Sequence, residues 1–330
     1  MRIAVDAMGG DYAPKEPVLG SVLAAKEAKI ASVLVGRSEE INQELSQYED
    51  YPKELITIKE AREVVEITEQ PAIAVRKKRD SSIVVANLLV KNGEADAVIS
   101  AGSTGAAMTA SLFILGRIQG ISRPAIAIPM PTVNGVTVFL DAGANVENDA
   151  KDLLQFGIMG SIYAEAVLGL SSPRVGLLSN GEEESKGNRL VQETYQLLKD
   201  GNLNFVGNIE GNDIPMGRAE VIVCDGFVGN IILKFAEGMA SALFQKMKEA
   251  LMGSALTKMG ALIIKPSLKE LKGSFDYSEY GGAPLLGVKG VSIISHGRSD
   301  AKAFKNAIKA AASGVEQDII EKIRTSLEEQ

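Results

Sequence analysis

The sequence predicts an α/β protein, a three-layer αβα sandwich built on a mixed, mostly parallel sheet. Apolar runs typical of β-strands alternate with helical patterns through nearly all 330 residues, as expected when helices connect parallel strands. Glycine-rich polar turns directly follow five of the apolar runs, and ligands of open parallel sheets bind at such strand ends. The sequence therefore predicts one shared anion site, built from turns within 2–11, 95–106, 135–145, 174–188 and 219–230.

Each strand is predicted from a short apolar run bounded by turn residues, and each helix from apolar residues at three- and four-residue spacing. The runs 124–129 and 135–141, joined through PTVNG, favour a hairpin and would be the antiparallel part of the sheet. The predicted strands are 2–6, 32–36, 55–59, 96–100, 124–129, 135–141, 174–179, 204–208, 219–224 and 290–295. The predicted helices are 14–29, 38–47, 71–79, 82–92, 104–116, 149–168, 187–199, 228–252 and 299–325.

The polar turns extend from residue 6 to residue 297 without a linker or low-complexity segment between them. We therefore predict a single intertwined α/β catalytic domain over 1–330, with a protruding helical apolar segment near 245–275. Two interpretations of that segment stay open: a helix that packs on the core or on a second subunit, and an amphipathic tip that touches a membrane surface. In the second interpretation the membrane contacts are Leu256, Met259, Leu262 and Ile263, with Lys258, Lys265, Lys269 and Lys272 facing anionic headgroups.

Composition excludes several classes of function. A net charge of −7 argues against nucleic-acid binding, and the absence of Trp argues against platforms that stack bases. The single cysteine, Cys224, cannot form an intrachain disulfide, which fits a reducing cytoplasm. The N-terminus has no signal-peptide pattern, and no window reaches the roughly 18 uninterrupted apolar residues of a membrane span. We expect a soluble cytoplasmic protein.

The potential nucleophiles and metal ligands are few. The single histidine, His296, excludes a His-rich zinc site, and Cys224 within VIVCDG is interpreted as a small residue of a buried strand. The nucleophile-elbow, P-loop, zincin and dinucleotide-binding motifs are missing. A bound anion that is itself the nucleophile needs only positioning and charge neutralisation, so no activated side chain is required.

The turns carry residues suited to holding such an anion. Gly102–Gly105 opens a helix, where N–H groups and the hydroxyls of Ser103 and Thr104 would meet an anion; simple N-capping is the alternative, and the two can coexist. Lys186 stands between a strand end and Gly187, placed to reach into a crevice, although a solvated helix entrance is the alternative.

Motifs in the same order as a known family run from residue 3 to about 310. They are VDAMGGDYAP (5–14), SAGSTGA (100–106), DAGAN (141–145), LLSNGEEESKGN (177–188), CDGFVGN (224–230), YGGAPLLG (280–287) and SHGRS (295–299). Together they resemble the PlsX family of bacterial phosphate acyltransferases. The resemblance implies transfer of a long-chain fatty acyl group from acyl carrier protein to inorganic phosphate, giving acyl phosphate for phospholipid synthesis.

The resemblance also implies a fold similar to phosphotransacetylases and to isocitrate or isopropylmalate dehydrogenases, usually as a homodimer. Such an enzyme would be cytoplasmic and peripherally associated with the inner face of the cell membrane, passing its product to a membrane glycerol-3-phosphate acyltransferase. No cofactor, metal or nucleic acid is expected.

With that activity, phosphate is expected at Ser103, Thr104 and Gly105, with Asn180 and Lys186 as further donors. Lys186, His296 and Asn230 are the predicted catalytic residues. Lys186 would stabilise the oxyanion or align the phosphate, and His296 would donate to phosphate or to the leaving thiolate, or else make only a structural hydrogen bond. Asp6, Asp11 and Asp225 are expected to support backbone and lysine groups, because carboxylates repel phosphate.

The acidic carrier protein requires a basic patch, for which Arg76–Arg79 and the lysines of 258–272 are candidates; a solvated helix face is the alternative for 76–79. Three competing functions stay open: an acyl-CoA-dependent phosphotransacylase, a metal- and NAD-dependent decarboxylating dehydrogenase, and a non-catalytic phosphate-binding module. The dehydrogenase would need clustered arginines and an Asp cage, which these turns do not show.

Overall fold

The computed structural model describes residues 1–274 and 280–328, with side chains left out at 255 and 269–274. Within these residues the strands form two sheets rather than one. The first sheet has the order β3 (Ile56–Glu60), β2 (Ala31–Gly36), β1 (Arg2–Asp6), β4 (Ala97–Ser100), β12 (Val291–Ile294), β11 (Ala283–Leu286) and β5 (Ala125–Ile126). The second has the order β6 (Ile128–Thr132), β7 (Gly135–Leu140), β10 (Val221–Val223), β8 (Val175–Leu178) and β9 (Phe205–Ile209).

Both sheets are mostly parallel, as predicted. In the first, β3, β2, β1, β4 and β12 are parallel, while β11 and β5 pair antiparallel. In the second, only β6 is antiparallel, and it forms the predicted hairpin with β7. The turns after β1 and β4 therefore meet at one edge of the first sheet, and those after β7, β8 and β10 meet at one edge of the second.

Helices cover both faces of the first sheet because side chains alternate along its strands. Ile3 and Val5 of β1 point into a core with Phe304, whereas Ala4 belongs to a separate cluster with Leu89. The α/β fold class is confirmed. The helices are α1 (Lys15–Ala28), α2 (Ser38–Leu45), α3 (Pro71–Lys77), α4 (Ser82–Lys91), α5 (Thr104–Ile114), α6 (Ala150–Ala166), α7 (Arg189–Asp200), α8 (Gly226–Leu251), α9 (Ala255–Ser274), α10 (Ala301–Glu316) and α11 (Ile319–Glu328), with a short 3₁₀ helix at Lys53–Leu55.

Three elements differ from the sequence prediction. The run 124–129 divides between the sheets at Ala127, whose N–H donates to the carbonyl of Pro284 at 3.0 Å. No strand was predicted in the segment YGGAPLLG, yet it contains β11. This strand forms because it pairs with β12 on one side and with β5 on the other. The predicted helix 299–325 breaks before Asp318, whose φ of 51° is left-handed.

The apolar segment forms α8 and α9, as its spacing predicts. Most residues described there are exposed and several of α8 are half-buried, while the buried residues are Gly226 and Gly229 in α8 and Ala261 in α9. Within 1–274 and 280–328, α8 alone has the length and apolar composition to cross a membrane. The search for uninterrupted apolar runs missed this helix because Lys234 and Glu237 interrupt it. The predicted headgroup contacts of Lys269 and Lys272 lie outside the described side chains.

Candidate active site

Asp6 organises the turn that follows β4. This buried carboxylate ends β1, and its Oδ2 accepts a hydrogen bond from Ser100 Oγ at 2.7 Å. Ser100 Oγ in turn accepts from the N–H of Gly102 at 3.1 Å. Burial raises the pKa of Asp6, although its hydrogen bonds, that from Ser100 foremost, act in the opposite direction. Asp6 therefore acts on the predicted phosphate turn through Ser100, a residue that the sequence prediction left out.

The turn after β1 packs tightly against the same place. A Cβ atom on Gly9 would lie 2.6 Å from Asp6 Oδ2 and 2.8 Å from the nitrogen of Gly102, so a larger residue there would displace one of them. The N–H of Asp11 donates to the carbonyl of Gly297 at 2.7 Å, which ties this turn to the one that carries His296. Asp11 thus joins two turns through its backbone.

His296 is exposed beside these turns. Its Nδ1 accepts a hydrogen bond from the N–H of Arg298 at 3.1 Å, so the neutral ring carries its proton on Nε2. No hydroxyl or thiol in the described chain bonds to this ring, so His296 does not form a Ser–His or Cys–His pair there. Nε2 is a donor available to a ligand.

The first turn of α5 has no side-chain cap. Ser103 occupies the N-cap position and is half-buried, yet its hydroxyl makes no capping hydrogen bond. The first N–H groups of α5 therefore remain open to an anion, which favours the binding interpretation over simple capping. Thr104 is exposed, and Gly105 lies under Pro71 of α3, since a Cβ there would be 2.8 Å from Pro71 Cγ.

In the second sheet, Asp141 plays the part that Asp6 plays in the first. It follows β7, is fully buried, and has a raised pKa because burial outweighs its hydrogen bonds. Its appearance directly after a buried strand, two residues before Gly143, is the sequence signal that could have identified it. Five N–H groups donate to it: those of Ile126, Gly143 and Ala144 to Oδ1, and the backbone and side-chain amides of Asn145 to Oδ2.

The start of α8 lies directly against Asp141. A Cβ on Gly226 would be 2.4 Å from Asp141 Oδ2, and one on Gly229 would be 1.9 Å from the Asp141 carbonyl oxygen, so both positions need glycine. Asp225 caps α8 by accepting from the N–H of Val228 at 2.9 Å. Asn230 lies beside Gly143, its Cβ being 3.2 Å from where a Gly143 Cβ would stand. Asp141 therefore sets the position of Asn230.

The turn between β8 and α7 holds Lys186. Asn180 Oδ1 accepts from the N–H of Gly187 at 2.9 Å, and Gly187 has a left-handed φ of 89°. The alkyl chain of Lys186 folds over Gly181, where an added Cβ would be 2.7 Å from Lys186 Cγ. The Asn180 side chain therefore closes the loop, and the alkyl chain of Lys186 lies across Gly181.

Lys186 is exposed, and no carboxylate among residues 1–274 and 280–328 forms an ion pair with it. Two nearby acidic residues form ion pairs with other cations: Glu182 pairs with Arg218, and Glu184 pairs with Lys199 at 3.0 Å. The ammonium group is therefore available to an anionic ligand.

A cleft of about 420 Å³ opens between these turns at the carboxyl ends of β8 and β10. Cys224 forms part of its lining, but it is buried, its thiol donates to the Asp141 carbonyl at 3.7 Å, and burial raises its pKa well above the ordinary value. The thiol is thus protonated at neutral pH and is not an activated nucleophile. The lining residues are Leu153, Leu178, Ser179, Asn180, Gly187, Asn188, Val191, Gly211, Cys224, Asp225, Val228 and Ile232.

The structure groups the predicted residues in two sets. Asp6, Asp11, Ser103 and His296 surround the edge of the first sheet, while Asn180, Lys186, Asp225 and Asn230 surround the edge of the second, with Asn180 and Asp225 lining the cleft. One apolar cluster connects the two edges, since it contains Ala106 of α5 together with Ala142, Leu178 and Cys224. The four predicted membrane contacts are all exposed on α9.

No group of three or more His, Cys, Asp or Glu side chains in the described ranges could hold a metal ion.

Comparisons with known proteins identify the family. The family model for "Fatty acid synthesis protein" matches residues 1–322. The chain is 56% identical over 328 residues to a phosphate acyltransferase of Pelotomaculum thermopropionicum, covering 99% of this chain and 95% of that protein. It is 57% identical over 328 residues to a phosphate acyltransferase of Desulfitobacterium hafniense, covering 99% and 98% of the two chains.

Two solved structures share the fold. A phosphotransacetylase from Streptococcus pyogenes has a TM-score of 0.64 at 20% identity, covering 96% of this chain and 94% of that one. A 4-hydroxythreonine-4-phosphate dehydrogenase from Klebsiella pneumoniae has a TM-score of 0.54 at 12% identity, covering 94% and 98%. At these identities the likeness concerns the fold. With the full-length sequence matches, it follows that this chain belongs to the phosphate acyltransferase family and is an acyltransferase.

Proposed function

We propose that this enzyme transfers a long-chain fatty acyl group from acyl carrier protein to inorganic phosphate, giving acyl phosphate for phospholipid synthesis. The observation that carries the proposal is that Cys224, the cysteine in the cleft lining, is buried and protonated, whereas the exposed ammonium of Lys186 has no ion-pair partner among the described residues. Because the described residues contain neither a Ser–His or Cys–His pair nor an activated thiol, phosphate itself would be the attacking group. The reaction is then a single acyl transfer that needs no covalent enzyme intermediate.

In the proposed step, a phosphate oxygen attacks the thioester carbonyl carbon, the C–O bond forms and the C–S bond breaks. The proton of HPO₄²⁻ goes to the departing sulfur, so the products are acyl phosphate and the free carrier thiol. The N–H groups at the start of α5 and the Nε2–H of His296 would hold the phosphate. The unpaired ammonium of Lys186 would oppose the negative charge that develops on the carbonyl oxygen.

A basic patch beside α5 supports carrier-protein docking. Arg76, Lys77 and Arg79 are exposed, whereas Lys78 is occupied by Glu69 at 2.6 Å. The Arg76 guanidinium stacks 4.9 Å from the Phe113 ring of α5, so this patch is fixed to the helix whose N-terminus would bind phosphate. We take Arg76, Lys77 and Arg79 as the docking surface for the acidic carrier.

The exposed faces of α8 and α9 support a homodimer at the inner face of the cell membrane. Phe227, Ile231, Phe235, Met239 and Leu243 recur every fourth residue on α8 and are all exposed, which fits the packing of a second copy. On α9, Leu262 and Ile263 are 71% and 79% exposed beside exposed Lys258 and Lys265, which fits contact with an anionic lipid surface. Acyl phosphate released there would reach a membrane glycerol-3-phosphate acyltransferase.

The test is acyl-phosphate formation trapped as hydroxamate, with palmitoyl carrier protein and palmitoyl-CoA compared at fixed phosphate. Phosphate-dependent product formed mainly from the carrier-bound donor is the expected result. Product formed mainly from CoA would instead make the enzyme an acyl-CoA-dependent phosphotransacylase. No product from either donor would contradict the proposed activity.

A further inference from the structure

In the cleft at the carboxyl ends of β8 and β10, the apolar lining residues range from buried at the floor to exposed at the rim. Leu153, Leu178 and Cys224 are buried at 1%, 8% and 3% exposure. Val191 of α7 and Ile232 of α8 are half-buried, and Val228 is exposed. A volume of about 420 Å³ lies in the range of small-molecule pockets, and apolar surface that remains open to water favours an apolar ligand.

One buried side-chain oxygen in this lining lacks a partner. Ser179 Oγ is buried and has no hydrogen bond among the described residues, although Ser179 lies directly at the end of β8. A buried hydroxyl without a partner costs free energy unless a ligand satisfies it. Its neighbour Asn180 lines the same cleft and leads into the turn that carries Lys186.

The wall and the lysine turn are also packed against each other. A Cβ on Gly187 would lie only 2.4 Å from Val191 Cγ1 and 3.2 Å from Ser179 Oγ. Val191 of the apolar wall and the unpartnered Ser179 hydroxyl therefore both lie next to Gly187, in the turn that carries Lys186. A ligand with an apolar chain and a carbonyl group at its end fits this arrangement.

Resting on the proposed function, we propose that this cleft binds the fatty acyl chain, with the Ser179 hydroxyl donating to the acyl carbonyl oxygen. The chain lies between Val191 and Ile232, and Leu153 and Leu178 form the floor that its methylene groups cover. The carbonyl end lies toward Asn180 and Lys186. The width between α7 and α8 then sets which acyl chains are accepted.

The test compares acyl carrier proteins loaded with eight-, twelve- and sixteen-carbon chains in Val191→Phe and Ile232→Phe. Each phenylalanine narrows the cleft, so the ratio of kcat/KM for sixteen to eight carbons should fall at least tenfold. Val206→Phe is the matched control, because Val206 is exposed on β9 and outside the cleft. Its ratio should equal that of the wild type. Ratios within twofold of wild type in both cleft variants would overturn the proposal.

Binding of cis-parinaric acid, a fluorescent fatty acid, gives a readout independent of turnover, and a chain without Trp adds no indole signal. Wild type and Val206→Phe should bind it, and the two cleft variants should bind at least tenfold more weakly. Wild-type binding without acyl-phosphate formation would reject the proposed reaction and keep the site. Unaltered binding of the fatty acid in folded cleft variants would reject the site. If the phenylalanine variants do not fold, Val191→Ala tests the same contact, because a wider cleft should favour longer acyl chains.

Ser179→Ala separates the carbonyl contact from the chain contact. It should lower kcat/KM for all three donors by the same factor, at least tenfold, and leave their ratio unchanged. A wild-type kcat/KM in Ser179→Ala would remove the carbonyl contact from the proposal.

Discussion

The side-chain oxygen of Asn180 accepts a hydrogen bond from the N–H of Gly187, 2.9 Å away, and so closes the turn that presents Lys186. The sequence suggested Asn180 as a phosphate donor. The structure shows its oxygen engaged within the turn, which leaves its NH₂ group for a ligand. Asn180 therefore has a positioning contact whatever it binds, and effects of substituting it would combine both roles.

Replacement of Lys186 tests the central catalytic assignment. No carboxylate in the described chain neutralises the Lys186 ammonium. We therefore expect Lys186→Ala to lose stabilisation of the charge that develops on the carbonyl oxygen, with little change in the free energy of unfolding. Loss of one such donor lowers kcat by about 10²–10³-fold. The measurement is kcat at saturating phosphate together with the melting temperature. Near wild-type turnover would show that Lys186 has no part in the chemistry.

Substitution of Asp141 should disturb both the 141–145 turn and the start of α8. In Asp141→Asn, an amide NH₂ would face N–H donors that now bond to a carboxylate oxygen. An unsatisfied buried group costs about 1–3 kcal/mol, so we expect a loss of that order in unfolding free energy. Denaturant unfolding at neutral pH measures it. Wild-type stability in Asp141→Asn would mean that the five hydrogen bonds do not hold the turn.

Removal of the Cys224 thiol should leave the activity intact. The protonated, buried thiol makes one weak hydrogen bond and no nucleophilic contact, so Cys224→Ala should keep kcat within about threefold. Inactivity of a folded Cys224→Ala enzyme, or covalent acylation of the wild-type cysteine, would contradict transfer directly to phosphate.

The raised pKa of Cys224 also predicts a pH dependence. A folded-state pKa above the unfolded value stabilises the fold at pH below the unfolded pKa of about 8.5, and this stability is lost as pH rises through the folded pKa. Cys224→Ala should therefore lose less stability than wild type between neutral and alkaline pH. Unfolding free energies of both proteins across that range provide the check.

Charge reversal on the basic patch tests carrier docking. Lys77→Glu with Arg79→Glu changes two exposed cations, and spares Lys78, which pairs with Glu69. We expect KM for acyl carrier protein to rise at least fivefold with little change in kcat. Lys322→Glu is the control, since Lys322 is an exposed cation on α11, distant in sequence from the patch and from the cleft. Equal KM values in the two variants would remove the patch as the docking surface.

Two substitutions on α9 test membrane contact. Leu262→Glu with Ile263→Glu places charge on exposed side chains, so the fold should be unaffected while binding to anionic vesicles falls at least fivefold. Co-sedimentation with vesicles containing phosphatidylglycerol measures the effect. Val133→Glu, at an exposed position between β6 and β7, controls for added charge. Unchanged sedimentation of the α9 variant would contradict the membrane proposal.

Much of the fold was predictable because its signals are local. Apolar runs such as 2–6 and 175–178 are buried strands whose spacing and length identify them, and the turns after them carry glycine for steric reasons visible in the chain. Lys186, Asn180 and Asp225 could likewise be placed at strand ends. The motif order was enough to indicate the acyltransferase family.

Only the tertiary structure decided how these elements combine. The division of 124–129 at Ala127 depends on a hydrogen bond to Pro284, 157 residues away, which no local pattern contains. The roles of Ser100 and Asp141 arise from contacts with Asp6 and with the glycines of α8, brought together by strand order. The sequence by itself determined the strands, the turns and the family, because these follow from periodicity and residue type. The pairing of buried polar atoms and the apolar cleft required the fold, because both depend on contacts between distant segments.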